Sequence, residues 1–279
     1  MPALAQSSIE KLGVIAGGGA MPARLLHACD INGIEPFIIA FDGQTDPAIL
    51  QDRKYMLTRV GAAGLVINTL KSHGIRDLVF IGAIRRPSLR EMRPDLRTLS
   101  FYARLSTRAL GDDGLLKAIK KELEKEGFRL HGVQRFAHDL LASEGPLGRN
   151  KPKKSDEEDI VRGFEILQYL GALDIGQGVV LQGGIVLGFE AAEGTDELLR
   201  RCGTLKRAGR GPILVKLSKP GQDNDMDLPT IGPDTVSIAG QSGFAGIVIE
   251  AGKTLVLEPD RVGELADQFG MFVTGMERS

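Results

Sequence analysis

Cysteine, histidine and aromatic residues are scarce in this chain, and long apolar runs are missing. Cys29 and Cys202 are the only two cysteines in 279 residues. Two thiols give no disulfide framework, and neither sits at metal-ligand spacing, so a reduced, cytoplasmic setting is expected. The four histidines, His27, His73, His131 and His138, form no HxxxH or HExxH pair, which argues against zinc. Aromatic residues make up 5%, and 35 Lys and Arg against 36 Asp and Glu leave a net charge of −1, so nucleic acid is not an expected partner. No run approaches the roughly 18 apolar residues that a bilayer span needs. The longest, Val179 to Phe189, is interrupted by Gln182, Gly183, Gly184 and Gly188. The first eleven residues lack the basic start and apolar core of a secretory signal. Peripheral contact with a membrane surface stays compatible with all of this. A GxSxG nucleophile elbow is also absent, since Gly240-Gln-Ser-Gly243 departs from that pattern.

Glycine, by contrast, is abundant, with 36 residues, and 42% of the chain is apolar. The length suffices for two domains. Apolar runs at Lys11–Ala16, Glu35–Phe41 and Asp77–Gly82 read as strands. Met21–Asn32, Gly61–His73 and Leu115–Glu126 carry helical spacing between and after them. Alternation at this pitch predicts a parallel sheet with crossover helices. We expect an α/β protein: a Rossmann-like nucleotide- or phosphate-binding domain over residues 1–140, a polar Gly/Pro-rich linker over 141–158, and a second α/β, catalytic domain over 159–279. Ser155-x-x-Glu158 has the form of a capping box opening a helix through about Leu173. In the second half, Gly178–Leu181, Gly184–Leu187 and Ile213–Leu217 read as strands, and Thr195 or Asp196 as the cap of a helix. Gly246–Glu250 and Lys253–Glu258 read as a hairpin around Ala251-Gly252.

The most informative stretch runs from Lys216 to Thr235. It sets Asp223, Asp225 and Asp227 at alternating positions, with Lys216 and Lys219 upstream and Pro-Thr-Ile-Gly-Pro behind. Carboxylates that close repel one another unless a cation or a proton lies among them. Clustered oxygens suit Mg2+ or Mn2+, and lysines suit phosphate. Ordinary solvated turns are built from the same residue types. A calcium EF-hand is excluded, because loop positions 6 and 12 are Leu228 and Asp234 in place of Gly and Glu.

Further candidates sit where strands end. Gly17, Gly18 and Gly19 follow the first strand, where backbone N–H groups and a helix N-terminus can meet phosphate; Pro22 breaks the GxGxxG fingerprint. Asp42 ends the second strand, within reach of a ribose. Gly82, Ala83 and Arg85, with Arg86, end the third, on the edge where open α/β sheets bind ligands. Gly111-Asp-Asp-Gly114 precedes a helix that Asp113 can cap. Glu193, Gly194, Thr195 and Asp196 offer two carboxylates and a hydroxyl for a metal, sugar or nucleotide.

Taken together these blocks resemble one family, the UDP-2,3-diacylglucosamine pyrophosphatases of the LpxI type. The similar pieces are Leu12–Gly19 with Pro22, Ile81–Pro87, Gly111–Gly114, Glu190–Asp196, and Lys219 through Pro233. They span nearly the whole chain in the expected order, and the two C-terminal blocks are the specific ones. The resemblance implies a Rossmann-like N-terminal half, a C-terminal half of less common topology, and a homodimer. It implies Mg2+-dependent hydrolysis of an acylated UDP-sugar lipid to UMP and 2,3-diacylglucosamine 1-phosphate, with water attacking the β-phosphorus, in a protein peripheral to the inner membrane. On that reading Asp225 holds the metal with help from Asp223 or Asp227. Lys216 and Lys219 offset charge, Gly17–Gly19 donate N–H groups on the nucleotide side, and the acyl chains lie in an apolar cleft between the domains. Competing readings are an NAD(P)-dependent nucleotide-sugar oxidoreductase and a non-enzymatic nucleotide- or lipid-binding protein.

Overall fold

The structure is a computed structural model that describes residues 9–85, 92–104, 112–220 and 228–278. The chain forms two compact units, the first ending at His138 and the second beginning at Asp139.

In the first unit five strands pair in parallel in the order β3-β2-β1-β4-β5. They are β1 (Lys11–Ala16), β2 (Glu35–Phe41), β3 (Lys54–Thr58), β4 (Asp77–Ile81) and β5 (Arg129–Leu130). Helices α1 (Met21–Asn32), α2 (Ala63–Ser72), α3 (Leu96–Ala103) and α4 (Asp112–Lys125) complete the unit. β1 is buried from Leu12 onward, the unbroken apolar run of a central parallel strand covered on both faces. Ile15, Phe37, Ile39, Leu70, Leu78 and Phe128 form a core that ties α2 to one face. α1 buries Leu25, Leu26 and Cys29. Burial, with Asp30 alongside, pushes the Cys29 thiol up to about 11, so it is an inert core group. Strand order reverses between β1 and β4, which places the topological switch point at their carboxyl ends.

The second unit is built on a six-stranded sheet of order β6-β13-β11-β9-β7-β8. Its strands are β6 (Gly145–Pro146), β7 (Gly178–Gln182), β8 (Ile185–Phe189), β9 (Ile213–Lys216), β11 (Gly246–Glu250) and β13 (Phe272–Met276). β9, β11 and β13 run parallel, while β6, β7 and β8 are each antiparallel to their neighbours. Alternate residues enter two cores, because successive side chains in a strand point to opposite faces. Val179, Leu181 and Val215 meet Ile160 and Leu167 of α5 (Glu157–Ala172). Val180, Leu214, Ile247 and Val273 meet α6 (Thr195–Thr204), α7 (Pro233–Gln241) and α8 (Pro259–Gln268). A short parallel pair, β10 (Thr230–Ile231) with β12 (Leu255–Val256), stands apart from this sheet. No described helix is long and apolar enough to cross a membrane.

Three local expectations need correction. The hairpin around Ala251-Gly252 does not form, since β11 pairs with β9 and β13 and β12 pairs with β10. Gly246–Glu250 is buried throughout, which marks a central parallel strand rather than a half-exposed hairpin arm. At the start of α5 the Asp156 carboxylate, and not Glu158, accepts the Lys153 N–H at 2.8 Å, and the helix begins at Glu157. Asp113 lies inside the first turn of α4 rather than at its cap. The polar stretch 141–158 is integrated into the second unit: Gly145 and Pro146 pair with β13, and the buried Asp156 takes both Arg210 Nε and Nη2.

Candidate functional site

Two sheet edges collect the candidate residues, one in each unit. In the first unit the chains leaving β1 and β4 cross. Gly17 N–H donates to Ile81 O at 2.8 Å, Gly18 N–H to Ala83 O at 2.8 Å, and Ala83 N–H back to Gly18 O at 3.1 Å. A Cβ on Gly17 would lie 2.4 Å from Ala83 O, and one on Gly82 2.5 Å from Gly18 O. These glycines answer a backbone-on-backbone crossing. The N–H groups of Gly17 and Gly18 are therefore engaged within the protein, against the expectation that all three glycines offer theirs to a ligand. Gly19 differs: its φ is +87° and nothing stands within 4 Å of where a Cβ would be. It leads into α1, whose first turn no side chain caps, so Gly19 and that turn are the backbone groups able to face an anion.

Around this edge the connections are pinned by side chains. Thr45 Oγ1 accepts Phe41 N–H at 2.8 Å and donates to Ala16 O at 2.6 Å, fastening the chain after β2 to the end of β1. Gln44 Oε1 accepts the Arg85 N–H at 2.6 Å and leaves the exposed guanidinium to solvent. Asp42, also exposed, lines a cavity of about 330 Å3 with Thr45, Gln51 and Tyr55. Arg86 and Gly111 lie outside the described residues.

In the second unit the described candidates gather near the carboxyl end of β9 and β11. Lys216, 4% exposed, ends β9; its Nζ donates to Thr195 Oγ1 at 2.6 Å and to Glu190 Oε2 at 3.3 Å. The Thr195 hydroxyl donates to Glu190 Oε1 at 2.8 Å, closing a three-membered network. Thr195 therefore does not cap α6; Gly194, at φ +80°, holds the cap position without a side-chain bond. Two residues past Lys216, Ser218 gives its N–H and Oγ–H to Glu250 Oε2 at 3.0 and 2.6 Å. Lys253 Nζ donates to Glu250 Oε1 at 2.9 Å. Burial opposes ionisation of Glu250, but the Ser218 and Lys253 bonds outweigh it and hold the carboxyl below the usual glutamate range. Next, Lys219 Nζ donates to Asp174 Oδ1 at 2.6 Å. Both candidate lysines thus face carboxylates of the protein itself.

The neighbouring acids are arranged less centrally. Glu193 pairs with Arg201 at 2.7 Å, which draws its carboxyl below the usual range. Asp196 Oδ1 accepts from Thr235 Oγ1 at 3.5 Å, linking α6 to α7. Asp223, Asp225 and Asp227 lie outside the described residues. Among the described residues no three His, Cys, Asp or Glu side chains gather so as to hold a metal ion. Sequence reasoning missed Glu250, Ser218, Lys253, Asp174, Gln44 and Thr45. For Glu250 a signal existed: one acid closing the otherwise apolar strand Gly-Ile-Val-Ile-Glu.

Comparison with known proteins accords with this division. Residues 11–140 match the LpxI N-terminal domain, and residues 143–274 match the LpxI C-terminal domain. The UDP-2,3-diacylglucosamine pyrophosphatase LpxI of Caulobacter vibrioides is 38% identical over 278 residues, covering 96% of this chain and 98% of that protein. The chain belongs to the LpxI family. Among solved structures, the biotin carboxylase subunit of pyruvate carboxylase overlaps 62% of this chain and 35% of its own at a TM-score of 0.27 and 14% identity, too slight a likeness to inform fold or function.

Urea unfolding tests the crossing at the first edge. Gly17→Ala drives a Cβ into backbone and is expected to lose about 3 kcal/mol, whereas Gly19→Ala meets open space and loses about 1 kcal/mol from its left-handed φ. Equal losses would contradict the crossing. The same assay probes the buried pair: Lys216→Met strands Glu190 and is expected to lose about 3 kcal/mol, most of it recovered in Lys216→Met/Glu190→Gln. The lowered Glu250 carboxyl gives a signed pH effect. Its stabilisation is complete above the unfolded glutamate value and is lost as pH falls through the lower folded value. The stability gap between wild type and Glu250→Gln should therefore close on acidification; a gap that widens would contradict an ionised Glu250.

Proposed function

We propose that this protein hydrolyses the pyrophosphate bond of UDP-2,3-diacylglucosamine to UMP and 2,3-diacylglucosamine 1-phosphate, a step of lipid A biosynthesis, with Mg2+ as the assisting ion and Mn2+ as a substitute. One observation carries the proposal: identity of 38% that runs through 96% of the chain, and so through both units, to a protein named for this activity.

The donor chemistry fits the ion. Asp225, with Asp223 or Asp227, would hold it through hard carboxylate oxygens, the ligands that Mg2+ takes. Bound there, it supplies charge neutralisation on the phosphate oxygens and a lowered pKa for an attacking water. The remaining work belongs to side chains and backbone. Gly19 and the first turn of α1 offer N–H groups to the nucleotide-side phosphate, Asp42 meets the ribose, and Arg85 offers a planar fork to phosphate. Lys216, matched by Glu190, holds the Thr195 hydroxyl in one orientation. Lys219, matched by Asp174, stands at the entry to the acidic run. Hydrolysis at the β-phosphorus expels UMP and leaves the phosphate on the lipid-bearing sugar. By the same family resemblance the protein works as a homodimer, in peripheral contact with the inner membrane that carries its lipid substrate.

Incubation of purified protein with UDP-2,3-diacylglucosamine, with Mg2+ or with EDTA, tests the reading. UMP and the lipid phosphate should form only with metal. Asp225→Ala should cut turnover more than tenfold, about 1.4 kcal/mol of barrier. Intact substrate would overturn the activity, and turnover indifferent to EDTA would overturn the role of the metal.

A further inference from the structure

We infer that Glu250 is a positioning residue for this hydrolysis, acting through Ser218 on the direction in which the chain leaves β9; the inference rests on the pyrophosphatase reading.

β9 is a central strand, paired with β7 on one side and β11 on the other. Its ladder ends when Leu217 N–H donates to Gln177 O at 2.9 Å. Ser218 is the next residue, and its buried N–H needs an acceptor that no strand provides. The register pairs Lys216 with Ile249, which sets Glu250 at the shared edge, one residue further along β11. Its Oε2 takes both the N–H and the hydroxyl of Ser218, and its Oε1 takes Lys253. Glu250 is 2% exposed, so its charge is kept at a desolvation cost and repaid by charge-assisted bonds. Three bonds on one carboxylate leave it no freedom. A backbone N–H and a side-chain O–H of one residue, both held by one oxygen, fix the main chain at that residue. Lys219 and its bond to Asp174 follow immediately, and Asp223 is five residues beyond Ser218 in sequence. Misplacement of reacting groups by about 1 Å costs on the order of a hundredfold in rate.

The test is steady-state hydrolysis of UDP-2,3-diacylglucosamine at saturating Mg2+ by wild type, Glu250→Gln, Ser218→Ala, the double variant and Ser218→Thr, each with its melting temperature. Expected results are a kcat at least tenfold lower for Glu250→Gln with KM within threefold of wild type. Ser218→Ala should lose at least threefold in kcat, the double variant no more than Glu250→Gln alone, and Ser218→Thr should retain most of the activity. A folded Glu250→Gln with wild-type kcat, or additive losses in the double variant, would overturn the inference while leaving the pyrophosphatase reading intact. An inert wild type would overturn both. Should Glu250→Gln fail to fold, Ser218→Ala decides: it removes a single bond, and an unchanged kcat there sinks the idea.

Discussion

Where β9 ends, the ladder of backbone hydrogen bonds stops and three carboxylates take over. Glu190 receives Lys216, Glu250 receives Ser218, and Asp174 receives Lys219, within four consecutive residues. Each acid comes from a different place: the end of β8, the end of β11 and the turn after α5. The exit from β9 is thereby tied to the sheet on both sides and to the helix that covers one face. A chain tied this way has little freedom to drift as it leaves the strand.

The first unit solves its own edge by different means. There the connections after β1 and β4 are held by backbone pairing, with Gly17 and Gly82 removing side chains from the crossing. Thr45 and Gln44 then fasten the following loop. The crossing leaves Gly19 exposed just ahead of α1. The position is that of a phosphate site in a Rossmann-like sheet, but fewer backbone donors are available than the three glycines suggest, which is one reason the dinucleotide fingerprint is a poor guide here.

Much of the architecture was legible from the chain because strands buried on both faces advertise themselves as unbroken apolar runs. β1, β2, β4, β7 and β9 fall where such runs predict them. β3 escaped because Lys54, Tyr55 and Leu57 leave an edge strand half in solvent, and β5 and β6 because two residues carry no pattern. β11 was seen as a strand but given the wrong partner: a glycine turn followed by another apolar run imitates a hairpin, and only tertiary pairing separates the two cases. The candidate site divides similarly. Lys216 and Thr195 were found as chemical types and prove to be neighbours. The contacts of Lys216 with Glu190 and of Ser218 with Glu250 join residues 26 and 32 positions apart, and a single chain carries no sign of that proximity. The capping role given to Thr195 failed because capping propensity is local, whereas the partners of its hydroxyl, Lys216 and Glu190, are set by the fold.

Membership of the LpxI family points to one reaction, hydrolysis of a pyrophosphate. Hydrolysis of UDP-2,3-diacylglucosamine in 18O-labelled water, with mass analysis of both products, tests that most directly. The account predicts one 18O in 2,3-diacylglucosamine 1-phosphate and none in UMP. Label in UMP would contradict attack at the β-phosphorus, and recovery of intact substrate would contradict the activity itself.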